Sequence, residues 1–178
     1  MNSWHILTEC YIDTLLAEVL SPAKKGYNHQ QCCTKVLGTM KEKFSNDAVL
    51  GIIDNDKFKP KDLADFSLLK KHNEQLSIYK HHDKSKSHYV IIIGKAVEDF
   101  ILKNVQKSNI ELVEYDLPSD LDGLRKITKH TKSLKDAEIK FKKLFSALKQ
   151  DENSDFYKLA QWIEYFKADP YDLNIESL

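Results

Sequence analysis

The chain has 178 residues, of which 42% are apolar and 30% charged, and its 27 basic residues balance 27 acidic ones. A chain of this length makes one domain that buries roughly 70% of its unfolded surface, and the apolar content excludes a disordered polymer. A formal net charge of zero excludes global attraction to nucleic acid or to an anionic membrane, so any such contact has to come from a local patch.

The N-terminus carries no secretory pattern, because Glu9 and Asp13 interrupt its first apolar run. The longest purely apolar stretch is about five residues, against the roughly 20 that a membrane helix needs. Three cysteines, Cys10 and the adjacent Cys32 and Cys33, form neither a C-x-x-C pair nor a Cys/His ligand spacing. That usage predicts reduced thiols, a cytoplasmic protein and no structural zinc.

Trp4 to Thr8 reads as a short buried strand, closed by Glu9 and Cys10. Ile12, Leu15, Leu16 and Val19 then repeat at the spacing of one helical face, and Ser21-Pro22 ends that helix. Gly26 to His29 reads as a loop. Cys33, Val36, Leu37, Met40 and Phe44 predict a second amphipathic helix over 30–44. Ala48 to Ile53 is apolar without alternation, the pattern of a strand covered on both faces in a parallel sheet, and it stops at Asp54-Asn55-Asp56. Leu76–Tyr79 and Tyr89–Ile93 predict a hairpin whose loop is the polar run Lys80 to His88. After Gly94, the residues Val97, Phe100, Ile101 and Val105 define a third helix.

Ile110 to Tyr115 fits either a last strand or a loop. Beyond it every apolar pattern is helical, ending with Phe156, Leu159, Ile163 and Phe166; Ser133 and Ser154 are the candidate N-terminal caps. Trp162 falls on that last apolar face and reads as core. The expected fold is α/β, a Rossmann-like sandwich with a central, mainly parallel sheet over 1–115 and a helical C-terminal region over 116–178 packed on it, one domain overall.

Two acidic elements sit where the best strands end: Glu9-Cys10-Tyr11-Ile12-Asp13, and Asp54-Asn55-Asp56. Ligands of open α/β sheets bind beyond the carboxyl ends of the strands. Carboxylates gathered there repel one another unless a cation neutralises them, and oxygen ligands favour Mg²⁺ or Mn²⁺, which polarise phosphoryl oxygens. Taken singly, each has a plainer reading. Asp-x-Asp suits a turn, Glu9 a helix N-terminus and Asp13 a solvated face.

A strand ending in Glu, an acidic residue four positions later and a downstream strand ending in Asp-x-Asp resembles the Toprim domain, in its small stand-alone and OLD-nuclease-like forms. The likeness runs over about residues 4 to 105. It implies a Toprim-type sandwich with Glu9 as acid/base and Asp54 and Asp56 as ligands of Mg²⁺ or Mn²⁺. Asp13 takes the acidic position of the Glu-Gly-x-x-Asp variant, and Glu98 and Asp99 resemble a late acidic pair. The implied activity is a Mg²⁺-dependent nuclease or related phosphotransferase acting on nucleic acid. Cys10 stands where the family has glycine, which leaves a non-catalytic binding or assembly module of the same fold as the alternative. Another Asp-x-Asp phosphohydrolase is a third reading, but haloacid-dehalogenase-like enzymes place Thr or Val where this chain has Phe58.

Residues 57 to 88 hold eight lysines against four acidic residues. The hairpin loop lysines read as solvated guards of an edge strand. Lys57 and Lys59, just past the aspartates, are the candidates for phosphate contact. A protein partner or a second copy of the chain remains open; a membrane does not. Cys10 is expected to be a poor nucleophile because Glu9 disfavours its thiolate.

Overall fold

The computed structural model describes residues 3–55, 61–171 and 173. A six-stranded sheet of order β2-β1-β3-β6-β5-β4 forms its centre, from β1 (Ile6–Thr8), β2 (Asn28–His29), β3 (Val49–Asp54), β4 (Phe66–Asn73), β5 (Leu76–His81) and β6 (His88–Ile93). The four strands β2, β1, β3 and β6 run parallel, and β5 and β4 add an antiparallel hairpin at one edge. Six helices accompany it among the described residues: α1 (Tyr11–Leu20), α2 (Cys33–Lys43), α3 (Val97–Lys107), α4 (Leu121–Thr128), α5 (Thr131–Gln150) and α6 (Asp155–Ala168). The fold is thus α/β with a mixed, mostly parallel sheet.

Alternation along each strand divides the core in two. Ile6, Leu50, Ile52, Ile78, Tyr89, Ile91 and Ile93 face a large cluster shared with α1, α3, α4, α5 and α6. Leu7, Val49, Ile53, Val90 and Ile92 face the opposite way, onto Val36, Leu37 and Met40 of α2. This explains why β3 and β6 read as unbroken apolar runs: both faces are covered. The crossover from β1 to β2 goes one way along the sheet and that from β2 to β3 returns past β1, so helices of one crossover hand fall on opposite faces. At Gly51 α2 comes so close that a Cβ would stand 2.8 Å from Val36 Cγ1.

On the helical face a series of rings ties the C-terminal third to the sheet. Tyr89 of β6 meets Phe166 edge-on at 6.1 Å, and Phe100 of α3 stacks on Phe156 of α6 at 4.9 Å. Phe156 in turn contacts Phe145 of α5 at 5.4 Å. Trp162 is fully buried. Below the rings, Asp155 is buried at the start of α6 and binds Lys107 Nζ at 2.7 Å and Asn73 Nδ2 at 2.6 Å, joining α3, α6 and the β4–β5 turn.

Several expected boundaries move, each for a local reason. Ser3–His5 form a 3-10 turn and leave β1 three residues, since only Ile6–Thr8 find partners on flanking strands. Asn28–His29, expected as loop, pair with β1. Gln31 lies in the left-handed region (φ 81°), so α2 starts at Cys33 rather than residue 30. The strands of the hairpin take Lys80, His81 and His88 from its expected loop, and His88 is buried with Nε2 2.9 Å from the Phe44 carbonyl. Leu112–Tyr115 form a 3-10 turn. His130, not Ser133, occupies the N-cap of α5, whereas Ser154 does cap α6, its hydroxyl accepting from Phe156 N–H at 3.1 Å.

Candidate functional site

Thr8 pairs with Ile52, so Glu9, the next residue, emerges level with the end of β3. Glu9 Oε2 accepts a hydrogen bond from Asp54 N–H at 3.2 Å. The chain leaves β1 toward β2 and leaves β3 toward the other half of the sheet. That reversal opens the crevice in which open α/β sheets bind ligands.

Cys10 turns the chain into α1 as its N-cap, with an extended backbone (φ −133°) that any residue adopts, so no glycine is needed there. Thr14 Oγ1 donates to Cys10 O at 2.9 Å and lies 2.7 Å from Thr8 Oγ1, fixing the strand-to-helix turn. Asp13, in the first turn of α1, reaches back to accept from Cys10 N–H through Oδ2 at 3.0 Å. This places Asp13 under the turn with 1% of its surface exposed, and its Oδ1 has no hydrogen-bond partner. The plain reading of Asp13 as solvated surface is therefore wrong: the backward reach of a capping residue carries it inside.

Asp54 Oδ1 is likewise buried without a partner, while the carboxylate accepts from Val97 N–H at the start of α3. Glu98, next along α3, is buried and accepts a hydrogen bond from the Thr128 hydroxyl of α4. Glu9, just past β1, and Glu98 of α3 thus bear on Asp13 of α1 and Asp54 of β3. Burial raises Asp54 to about 9, with Asp13, Glu9 and Glu98 adding to it. Burial raises Asp13 to about 7, helped by Glu9 and Glu98. The Cys10 thiol is held far above its ordinary value by burial and then by Asp13, so the sequence reading of a poor nucleophile had the right direction but named the wrong carboxylate.

The expected acidic pair of α3 separates. Glu98 joins the cluster, but Asp99 turns to Lys103, one helical turn on, at 2.9 Å. Asp56, Lys57 and Lys59 lie outside the described residues. Among the described residues no three His, Cys, Asp or Glu side chains are arranged to hold a metal ion together.

A cleft of about 610 Å³ opens over this cluster, with Asp54 and Glu98 in its lining. Its basic residues are Lys95, Arg125 and Lys129, none of them singled out by the motifs. Tyr11 and His29 also line it, their rings 4.6 Å apart, with Tyr11 more than half exposed. One sequence signal for this cleft existed: of the 27 basic residues only one is arginine, and it is Arg125. No spacing rule links Lys95, on the turn after β6, with α4; only folding brings them together.

No protein-family model, curated protein or solved structure matches the chain.

Proposed function

We propose that this crevice is a Mg²⁺- or Mn²⁺-dependent site for phosphodiester or related phosphoryl chemistry on nucleic acid, as the resemblance to Toprim nucleases implies. The observation that carries the reading is a pair of carboxylate oxygens, Asp13 Oδ1 and Asp54 Oδ1, buried without partners beside Glu9 and Glu98. Buried carboxylates whose pKa is raised by burial and by neighbouring carboxylates are relieved either by protons or by a cation. The donor set is oxygen only, which suits a hard divalent ion, and Mg²⁺ typically takes one or two carboxylates and completes its shell with water and phosphate. Asp54 and Asp13 would hold the ion, with Asp56 the further acidic residue of the motif. When bound, such an ion offsets charge on a phosphoryl oxygen and makes a coordinated water more acidic.

Glu9 is suited to hold or move the proton at the attacking or leaving oxygen. Its Oε2 is kept at the strand end by Asp54 N–H, beside the ligands and not among them. A second reading, a binding module of this fold without chemistry, draws on the absence of a preassembled three-ligand group among the described residues.

Thermal melting with and without Mg²⁺ or Mn²⁺, on wild type and Asp54→Asn, tests the cation site. A ligand of the native state adds about 2.7 kcal/mol when present at 100 times its dissociation constant. Wild type should show such a rise and Asp54→Asn should lose most of it; equal responses overturn the site. Glu9→Gln removes the charge and keeps the shape, and should slow Mn²⁺-dependent cleavage of DNA or RNA by about 10²-fold. Metal binding with no cleavage of any strand selects the binding module.

A further inference from the structure

We infer that the cleft over the acidic cluster takes one unpaired nucleotide, with its base against the Tyr11–His29 ring pair and its phosphate against Arg125, Lys95 and Lys129. The inference rests on the phosphoryl reading above and narrows it to a substrate class.

The cleft's volume, about 610 Å³, is that of a small-molecule site and not of an extended groove. Its cations are available to a ligand. Lys95 and Lys129 are exposed and form no ion pair with another described residue. Among the described residues the Arg125 guanidinium pairs with the exposed Asp122 alone, at 4.0 Å, a contact of little worth. Three cations ringing buried carboxylates do not neutralise them by direct pairing; they fit a ligand that is anionic itself and is drawn toward a cation below. Arginine is the side chain that grips phosphate with two parallel hydrogen bonds, and the chain's one arginine is here.

The aromatic pair supplies the other half. Tyr11 opens α1 with more than half its surface in solvent, where a buried aromatic would contribute to the core and this one does not. Burial keeps the His29 imidazole below its ordinary pKa, so near neutrality it offers a neutral ring. Stacking on such a platform needs a free base face; in a duplex both faces of each base are already stacked. An aromatic platform beside a cationic wall is how proteins hold single strands without reading their sequence.

The experiment is equilibrium binding of a labelled oligothymidylate and of the matching duplex, in Mg²⁺ and in EDTA, to wild type, Tyr11→Ala, Tyr11→Phe and Arg125→Ala. The single strand should bind wild type more tightly than the duplex. Tyr11→Ala should weaken it about tenfold and Tyr11→Phe less than about twofold, as expected for loss and retention of one stacking partner. Arg125→Ala should weaken binding and lower the salt slope by about one charge. Competition by thymidine monophosphate reads whether the nucleotide comes from a strand or arrives free. Duplex binding equal to single-strand binding in both buffers, or no effect of Tyr11→Ala, overturns the inference. A Mn²⁺ melting response that depends on Asp54 while no oligonucleotide binds would sink this inference alone. Tyr11-dependent binding with no metal response would sink the cation reading alone.

Discussion

Asp13 and Asp54 show how position along a turn decides what a carboxylate does. Both have folded-state values raised above the ordinary aspartate range, to about 7 and about 9, first by burial. The folded state therefore holds their protons more tightly than the unfolded chain. Their contribution to stability is complete below the unfolded values near pH 4 and is lost as pH rises through 7 and 9. Without divalent ions the protein should be less stable at pH 9 than at pH 5, and Asp54→Asn should flatten that slope and gain stability over wild type at the alkaline end. Urea melts across pH in EDTA measure it; parallel profiles for the two proteins would mean that Asp54 titrates normally. The sequence could place Glu9 and Asp54 at strand ends. It could not show that Asp13 is buried, because a capping residue three positions into a helix has the same spacing whether its carboxylate faces water or folds back under the turn. Nor could spacing have found Arg125, which reaches the cleft only through the packing of α4 on α3.

Among elements, those whose residues are all buried were legible and those at the margins were not. β3 and β6 stand between two helical layers, so hydrophobicity alone predicts them. β4 went unread because Phe66–Asn73 is an edge strand, largely exposed and lysine-bearing, with two register shifts against β5. Phe66 and Leu69 alone pack, half-buried, against the two cores, and their spacing of three leaves no period of two to read. The contact of α2 with β3 has a sharper requirement. Gly51→Ala would put a methyl 2.8 Å from Val36 Cγ1 and 3.1 Å from Met40 Sδ. Overpacking of this kind costs about 1–3 kcal/mol. Gly51→Ala should destabilise by that amount in denaturant melts, and adding Val36→Ala should recover part of the loss, a non-additivity expected only of residues in contact. Additive losses would show that α2 shifts freely along the sheet.

At the scale of the molecule, the sequence divides at Tyr115 into an α/β part and a helical part, yet the packing does not respect that division. Leu124, Phe141, Phe145, Leu148, Phe156, Ile163 and Phe166 are all fully buried in the same cluster as Ile52, Ile91 and Phe100. Removing α4, α5 and α6 would leave only α1 and α3 over that face of the sheet and would uncover Tyr89 and Phe100, whose ring partners Phe166 and Phe156 lie on α6. Each large apolar side chain so exposed forfeits about 1.5–3 kcal/mol, and a handful already exceeds the 5–15 kcal/mol that holds a typical domain together. The site would be dismantled as well, because α4 carries Arg125 and Lys129 over the cleft and Thr128 covers Glu98. A chain ending at Tyr115 should accordingly show no cooperative thermal transition by circular dichroism and should bind a hydrophobic dye strongly, where the 178-residue protein should melt in one step. A cooperative melt of the shortened chain, with near-ultraviolet signal from its remaining aromatic residues, would establish the sheet as an independent unit and make the helical third an addition to a site already complete without it.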